Sequence, residues 1–462
     1  MRLFQEALPS PMDESKRPDP LMPPPRSTPA AVSVSPLLSS TSDAADTPVF
    51  SSDSDLPSSP MSLPSPSTKQ SPQKRSRVPR SSRTEEQLVT LSRDIDQYYH
   101  SRVLDQKGNT TRDRLVSKLQ TILNYCIRGA SFEVFGSSAS GLALNNSDID
   151  LSIVNIPDTF RAGKIPRQVL SIYLKELRKA FAFKDIHPVL SARVPIIKID
   201  DTRSKVSCDI AVGNEYNRSK SGLIRTYVEF DHRVVPLIAV IKYWAKSRRI
   251  GDASQGTLSS FAWTLMTVQF LQLCQPPVLP CLQQLTESNV VAKFVVIQGK
   301  QFDIVRGEVE EFMSRPLADR LKFTSEVPEW RGSNTQSVAG LFLDFLVFYA
   351  ESFNHREMCI SVRKGHLTLA EEYRANRGVS GFQANQKAFM CIEDPFDPTD
   401  NVARVISEDV WRRIHKEIER ALALLLASAG VPRLERICEK AVKKVRNRQP
   451  RAAQAPAATP RT

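Results

Sequence analysis

The feature that most constrains the fold is a short segment in which acidic and aliphatic side chains alternate. Asp148 and Asp150 alternate with Ile149, Leu151 and Ile153. Successive side chains of a β-strand point to opposite faces, so the pattern predicts a strand with two carboxylates on one face and an apolar opposite face. A helix can cover the apolar face, which favours an α/β domain. The two carboxylates repel each other unless cations lie between them, and their oxygens suit Mg²⁺.

A Gly-Ser pair, Gly136 and Ser137, lies 12 residues before the first of these aspartates. Glycine lets backbone N–H groups approach a phosphate closely, and a serine hydroxyl can donate to a phosphate oxygen. Either feature alone is compatible with a plain turn. The Gly-Ser pair followed by the acidic pair predicts a phosphate-binding loop beside a divalent-metal site.

A third acidic residue, Asp209, lies in the strand-like segment 205–212, on the face opposite to the apolar residues. Taken alone, it could be an exposed residue at the edge of a sheet. If this strand lies beside the first, Asp209 joins Asp148 and Asp150. Three carboxylates can hold two Mg²⁺ or Mn²⁺ ions, one lowering the pKa of an attacking hydroxyl and the other neutralising charge on a leaving pyrophosphate.

Composition divides the chain into segments. Residues 1–84 hold 16 of the 32 prolines and no Gly, Cys or Trp, which predicts a disordered tail. We expect a helix in 85–106 that packs on a central domain, an α/β catalytic domain in 107–245, a mostly α-helical central domain in 246–430, and a basic tail in 431–462. This organisation predicts a two-lobed molecule with the active site in the cleft between the lobes.

Hydrophobic spacing predicts the individual elements. The helical segments are 85–126, 167–182, 223–272, 337–355 and 408–427, and the strand-like segments are 132–135, 148–154, 194–199 and 206–212.

Charge and cysteine usage limit the class of protein. The formal net charge is +13, which favours a polyanionic partner such as nucleic acid or an anionic membrane surface. The seven cysteines are scattered without Cys-x-x-Cys spacing, which argues against a zinc finger and fits a reducing compartment. No apolar stretch is long enough to span a bilayer, so we expect a soluble protein of the cytoplasm or nucleus, with the cytoplasm favoured.

Taken together, these motifs resemble the nucleotidyltransferase core of the DNA-polymerase-β-like superfamily and, more narrowly, the poly(A) polymerase and terminal uridylyltransferase family, over residues 87–430. The resemblance implies a mixed-sheet catalytic domain and a helical central domain with a PAP-associated module in 337–404. It further implies template-independent addition of nucleotides from NTP to RNA 3′ ends, with Mg²⁺ or Mn²⁺ as cofactor.

The resemblance also implies roles for single residues. Asp148, Asp150 and Asp209 correspond to the catalytic metal ligands. The implied nucleotide contacts are Gly136, Ser137, Asn214, Ser221, Lys242, Lys246, Ser260, Phe261, Asp394, Asp400 and Arg404. Lys242 and Lys246 share a helix face, which suits a clamp on phosphates. Phe261 occupies the family's base-stacking position, which is usually a tyrosine.

Two positions depart from the family pattern. Uridylyl-transferring relatives tend to carry a histidine where this chain has Asp400, and relatives often have an asparagine that contacts the ribose where this chain has Lys220, followed by Ser221. An ionised aspartate accepts hydrogen bonds only, which suits the adenine amino group. The sequence therefore favours ATP over UTP.

Several alternatives remain open at this point. They are uridylyl transfer or dual ATP and UTP use, an inactive scaffold in RNA silencing or decay, and synthesis of 2′–5′ or cyclic oligonucleotides. No separate RNA-binding module is apparent, so we expect a monomer that binds RNA 3′ ends through its basic surface, its tails or a targeting protein partner.

Overall fold

The computed structural model describes residues 82–161, 163–180, 183, 185–192, 194–201, 203–213, 215–287, 294–297, 300–303, 334–375, 389–427 and 433–441. Asn214, most of the tail expected in 1–84 and most of the tail expected in 431–462 lie outside these residues.

Thirteen α-helices lie in the described part of the chain. They are α1 Ser82–His100, α2 Gln106–Cys126, α3 Gly136–Ala139, α4 Asp158–Arg161, α5 Pro166–Lys179, α6 Glu215–Phe230, α7 Val234–Ser247, α8 Ser260–Leu273, α9 Leu282–Glu287, α10 Val338–Val347, α11 Ala370–Ala375, α12 Glu408–Leu426 and α13 Leu434–Ile437. A 3₁₀ turn at Ala253–Gln255 precedes α8, and a π-helical turn at Phe348–Ser352 extends α10.

The described residues contain ten β-strands in three sheets. They are β1 Ser131–Phe135, β2 Ile149–Val154, β3 Asp185–Val189, β4 Ile196–Asp201, β5 Val206–Val212, β6 Phe294–Ile297, β7 Lys300–Asp303, β8 Met358–Ile360, β9 Thr368–Leu369 and β10 Cys391–Ile392. The largest sheet has the order β1-β2-β5-β4-β3, in which β2 and β5 are parallel and the other pairs are antiparallel. This mixed sheet fits the predicted α/β catalytic domain.

One core lies between this sheet and helices α2 and α5. Alternate residues of β2, such as Ile149 and Leu151, are at most 1% exposed and face it. Tyr173 of α5 is fully buried there, and its hydroxyl donates to the Leu119 carbonyl of α2 at 3.0 Å. The apolar face of the sheet is thus covered by helices, and the acidic residues of β2 are left on the opposite face.

A second, mostly helical core joins α1, α6, α7, α8, α10 and α12. Trp244 of α7 and Trp263 of α8 are buried in it, with their rings packed edge-to-face at 5.4 Å. Helices α6 and α7 fall within the predicted catalytic domain, but they bury their apolar residues in this second core.

The structure differs from the predicted elements at several points. The first helix begins at Ser82, inside the expected tail, and a short helix occupies Gly136–Ala139 where a loop was expected. The predicted helical run 223–272 comprises parts of three helices, α6, α7 and α8. Strand β3 was missed because it contains Pro188, which is tolerated only because β3 lies at the edge of the sheet.

Helices capable of crossing a lipid bilayer are absent from the described part of the chain.

Candidate active site

The three candidate aspartates lie on two neighbouring parallel strands. Asp150 of β2 is directly opposite Asp209 of β5, and Asp148 immediately precedes β2. The neighbours Ile149 and Ile210 are at most 1% exposed on the other face of the sheet. The expected juxtaposition of the two acidic segments is therefore present in the backbone register.

The carboxylates influence one another electrostatically. The pKa of Asp150 is raised to about 6, first by burial and then by the charges of Asp209 and Asp148, while Lys242 and Lys198 oppose the shift. Burial also raises the pKa of Asp209. Three interacting carboxylates create a negative potential that favours a cation.

Lys198, which sequence reasoning did not single out, holds one of these carboxylates. It lies opposite Asp209 on β4, and its Nζ is 2.6 Å from Asp209 Oδ2. Burial lowers the pKa of Lys198, but the hydrogen bond and charge of Asp209 raise it above its ordinary value. Among the described residues, no group of three or more His, Cys, Asp or Glu side chains is arranged to hold a metal ion. The donor chemistry fits a divalent cation, but Asp209 is engaged by a lysine.

Gly136 packs directly against Asp150. Its φ is +65°, and an added Cβ would lie 2.1 Å from Asp150 Oδ2. The Gly136 N–H donates to Ser221 Oγ at 2.8 Å, and that hydroxyl donates to the Asn217 carbonyl at 2.7 Å. Ser221, expected as a nucleotide contact, thus anchors the Gly136 backbone to α6.

Arg112 of α2 fixes the backbone ahead of β2. It is 6% exposed, and its guanidinium donates to the carbonyls of Ser147 at 2.6 Å and Asp148 at 3.0 Å. It also donates to Ser138 Oγ at 2.7 Å. Sequence reasoning missed Arg112, since nothing in its local pattern distinguishes it from other charged residues of an amphipathic helix.

A cavity of about 560 Å³ lies on the acidic face. The site residues expected from the sequence that line it are Gly136, Ser137, Asp148, Asp150, Ser221, Lys242, Lys246, Ser260 and Phe261. Asp209, Asp394, Asp400 and Arg404 lie outside its lining. The cavity therefore brings the Gly-Ser segment, two aspartates, both lysines and the aromatic residue together.

The cationic side of the cavity is formed by α7. Burial lowers the pKa of Lys242, and the charge of Asp150 opposes this shift. Beside it, Tyr243 stacks on Tyr98 of α1 with ring centroids 4.3 Å apart, and the guanidinium of Arg102 covers the Tyr98 ring at 4.3 Å. The N-terminal helix therefore contributes to the wall of the cavity.

Lys220 links the cavity to the segment after β10. Its Nζ forms an ion pair with Asp394, whose side chain is 1% exposed, and lies 5.7 Å from the centroid of the Phe261 ring. The other oxygen of Asp394 accepts from the N–H groups of Phe396 at 3.0 Å and Asp397 at 3.2 Å. Lys220 lines the cavity, whereas its ion-pair partner Asp394 does not.

Asp400 and Arg404 form a separate pair. An Arg404 Nη1 lies 3.1 Å and 3.2 Å from the two Asp400 carboxylate oxygens. The Asp400 carbonyl accepts from the Tyr373 hydroxyl at 2.9 Å. Their role in base recognition stays a prediction, as does that of Asn214, which lies outside the described residues.

Two family models match the chain. The central palm domain of mitochondrial-like poly(A) RNA polymerase matches residues 91–229, and the Cid1 family poly(A) polymerase model matches 337–400.

The curated relatives include both poly(A) polymerases and terminal uridylyltransferases. Poly(A) RNA polymerase cid11 of Schizosaccharomyces pombe is 30% identical over 71% of this chain and 61% of its own length. Terminal uridylyltransferase 7 of Homo sapiens is 30% identical over 66% of this chain and 19% of its own length. The chain thus spans less than two thirds of these relatives.

Solved structures share the fold. The crystal structure of the Cid1 poly(U) polymerase superposes with a TM-score of 0.60 at 26% identity, covering 76% of this chain and 98% of that chain. A structure of a cytoplasmic RNA terminal U-transferase gives a TM-score of 0.59 at 26% identity, covering 76% of this chain and 99% of that chain.

Proposed function

We propose that this chain, which belongs to the poly(A) polymerase and terminal uridylyltransferase family, adds nucleotides from NTP to RNA 3′ ends without a template and releases pyrophosphate. The observation that carries the proposal is the parallel register of Asp150 with Asp209, on the face where a cavity gathers Asp148, Lys242 and Phe261.

Asp148, Asp150 and Asp209 are the residues that would hold the cofactor, two Mg²⁺ or Mn²⁺ ions. When bound, such ions activate a hydroxyl and stabilise charge on transferring phosphates. To bind a cation, Asp209 would have to give up its ion pair with Lys198. Burial is the largest cause of the raised pKa of Asp150, but the charges of Asp209 and Asp148 also contribute to it, and the negative potential of these charges attracts a divalent cation.

The remaining residues bind and orient the nucleotide. Lys242 and Lys246 neutralise the triphosphate, and Ser260 at the start of α8 donates to its terminal phosphate. Phe261 stacks on the base, while Gly136 lets the backbone approach the phosphates. The primer 3′-oxygen attacks the α-phosphorus as the bond to the bridging oxygen breaks, and Asp209 accepts the hydroxyl proton.

ATP is the proposed substrate, because Asp400 accepts hydrogen bonds and suits an amino group. UTP is the second candidate, and the observation in its favour is the similarity to a poly(U) polymerase and to a terminal U-transferase. Arg404 affects the choice between ATP and UTP, because it pairs with the Asp400 carboxylate and so competes with the base for this acceptor.

The test is primer extension by the purified protein with an oligo(A) RNA and each NTP separately, in Mg²⁺ and in Mn²⁺. The proposal predicts extension, with ATP used better than UTP. Preferred use of UTP would overturn the adenylyl assignment alone, and absence of extension with every nucleotide would favour an inactive scaffold. Linkage analysis of the product separates 3′–5′ extension from 2′–5′ or cyclic products.

A single substitution tests the base assignment. Asp400→His should shift use from ATP toward UTP, because histidine can donate to uracil O4 and crowds a purine. Asp397→His is the matched control, since this aspartate lies three residues earlier in the same segment and its carboxylate accepts from Thr399. An unchanged ATP-to-UTP ratio in the Asp400 variant would place base choice elsewhere.

RNA 3′ ends are the proposed macromolecular partner, engaged through the basic surface or through a targeting protein. We propose a monomer that works in the cytoplasm, with the nucleus as alternative. Size-exclusion chromatography with light scattering and imaging of the tagged full chain test these two points.

A further inference from the structure

We infer that Lys198 is the counter-ion of Asp209 in the acidic cluster, and that it gives up this carboxylate when a divalent cation binds. Lys198 has this role only if the proposed cation site at Asp148, Asp150 and Asp209 is correct. It would be a positioning residue, since it acts through a carboxylate.

The sheet fixes the two partners. Lys198 and Asp209 are directly opposite each other in the antiparallel pair β4–β5, and their charged atoms are 2.6 Å apart. Ile197 and Ile199, on either side of the lysine, are fully buried in the core below the sheet. Since side chains alternate along a strand, the buried isoleucines oblige Lys198 to project from the acidic face.

The charge of the lysine offsets the mutual repulsion of the three carboxylates. Asp150 and Asp209 face each other across two adjacent strands, and Asp148 lies one residue before β2. Carboxylates that share a site repel, and an opposite charge within about 4–6 Å relieves the repulsion. Lys198 supplies that charge by direct contact, whereas Lys242 approaches the cluster from the cavity side.

The contact is also one that can be exchanged. The Lys198 side chain is 46% exposed and that of Asp209 22%, so the ammonium group can move into solvent, and a bound cation would replace its charge beside the carboxylate. A divalent cation bound to the Asp209 carboxylate would repel the ammonium group that lies 2.6 Å from its Oδ2. Displacement of the lysine would therefore release Asp209 to bind the cation together with Asp148 and Asp150.

The competing interpretation is a permanent orienting contact, in which Lys198 holds Asp209 in the geometry that the cation needs. The two interpretations predict opposite effects of removing Lys198 on cation affinity. If Lys198 competes with the cation, its removal tightens cation binding; if it orients Asp209, its removal weakens binding.

The decisive experiment measures Mn²⁺ affinity by electron paramagnetic resonance, without nucleotide, in the full-length wild type, Lys198→Met and Lys198→Arg. Lys179→Met is the control, because Lys179 also forms an ion pair at 2.8 Å, with Glu176, on the helical side of the sheet. We expect Lys198→Met to bind Mn²⁺ about tenfold more tightly, equivalent to about 1.4 kcal/mol, and the other two variants to match the wild type.

Thermal unfolding supplies a second readout. Without cations, Lys198→Met should unfold at a lower temperature than Lys198→Arg, and saturating Mn²⁺ should raise its Tm by more than it raises that of the wild type, because binding stabilises in proportion to affinity. Unchanged or weaker Mn²⁺ binding by the methionine variant would overturn the inference.

Chemical labelling tests the wild type itself, should the methionine variant fail to fold. An amine-reactive reagent followed by mass spectrometry should modify Lys198 faster when Mn²⁺ is present, while Lys179 reacts at one rate. Equal labelling of Lys198 with and without Mn²⁺ would contradict its displacement.

The outcomes separate this inference from the proposed function. If neither the wild type nor any variant binds Mn²⁺, the cation site itself is wrong. If the wild type binds Mn²⁺ and Asp209→Asn does not, while Lys198→Met is unchanged, the site stands and only the counter-ion role falls.

Discussion

The Gly136 backbone lies so close to Asp150 that an added Cβ would be 2.1 Å from a carboxylate oxygen. Glycine also suits the φ of +65° found there, which costs other residues about 1 kcal/mol or more. Gly136, which was predicted to be part of a phosphate-binding loop, is therefore also needed because any side chain at this position would collide with the Asp150 carboxylate.

Substitution of Gly136 tests this contact. Gly136→Ala should lower the free energy of unfolding by about 2–4 kcal/mol and abolish extension, because the methyl group displaces Asp150. Gly256→Ala is the control: it has a φ of +74° with nothing within 4 Å of the added Cβ, so it carries the backbone strain without the collision. Equal losses in both variants, by denaturant unfolding and extension rate, would show that strain alone matters.

The Ser221 hydroxyl supports the same glycine. Ser221→Ala should cost about 1–3 kcal/mol of stability and slow extension, because it leaves the Gly136 N–H without its acceptor in a largely buried place. Ser219→Ala is a matched control on the same helix, since the buried Ser219 Oγ has no hydrogen-bond partner among the described residues. Urea unfolding should show no loss for Ser219→Ala; a similar loss in both would refute the supporting role.

The effects of substituting Lys220 and Asp394 on the free energy of unfolding should be strongly coupled. Lys220→Met leaves the carboxylate of Asp394, 1% exposed, without its cation and should cost about 3–5 kcal/mol of stability. In the double variant with Asp394→Asn, the loss should be smaller than the sum of the two single losses, because no unpaired charge remains. Additive losses in a double-mutant cycle would mean that the pair contributes little.

His355 predicts a pH dependence of stability. Burial, followed by the charges of Arg356 and His415, lowers its pKa to about 4, and its ring centroid is 4.8 Å from that of Phe389 and 4.9 Å from that of Trp411. Because the folded-state pKa is below the unfolded value, the contribution to stability is fully present above about pH 6.5 and is lost as pH falls toward 4.

The variant His355→Phe keeps an aromatic ring in the stack but cannot be protonated. The wild type should lose more stability than this variant when the pH is lowered from 7 to 4, measured by urea unfolding at each pH. Parallel losses in the two proteins would show that His355 is not responsible.

The basic residues at the C-terminal end of the chain are predicted to bind RNA phosphates. Ile437 is fully buried, its carbonyl accepts from Arg420 at 3.1 Å, and the Ala441 N–H donates to the carbonyl of Ser247, the residue after cavity-lining Lys246. Six basic residues follow in the sequence, and five of them are clustered at Lys443, Lys444, Arg446, Arg448 and Arg451.

Truncation after residue 441 should weaken binding of a long RNA and reduce the salt slope of log K by about 0.7 for each phosphate that the tail would have neutralised, with KM for the nucleotide unchanged. Replacement of the five basic residues by Gln in the full-length chain should have the same effect. A salt slope equal to that of the wild type in fluorescence anisotropy would exclude a phosphate-binding tail.

The sequence predicted the parts of the site that lie on single elements. The alternation around Asp148 and Asp150 predicted two carboxylates on one face of a strand, and the pattern around Asp209 predicted a second strand with its carboxylate opposite the apolar residues, because period-2 alternation reports which face a residue occupies. The pairing of these two strands was only a condition of the predicted site. The covering helices followed from their apolar spacing.

The missed residues act across elements. Arg112 reaches from α2 to the backbone before β2, and Lys198 contacts Asp209 because β4 happens to pair with β5. Lys220 was singled out in the sequence only as a departure from the family pattern, and its ion pair with Asp394, which lies far from it in the sequence, was not predicted. Such contacts depend on strand order and packing, which local periodicity does not encode, so Arg112 and Lys198 looked like any solvent-exposed charged residue.

The most direct test of the whole account is extension of an oligo(A) primer by Asp209→Asn, compared with the wild type. The replacement keeps the shape of the side chain and removes the charge that β5 contributes to the cluster. We predict a folded protein, by circular dichroism and thermal unfolding, whose extension rate falls by about a hundredfold or more, because cation-assisted charge stabilisation supplies several kcal/mol. A folded Asp209→Asn that extends the primer at nearly the wild-type rate would contradict the three-carboxylate site.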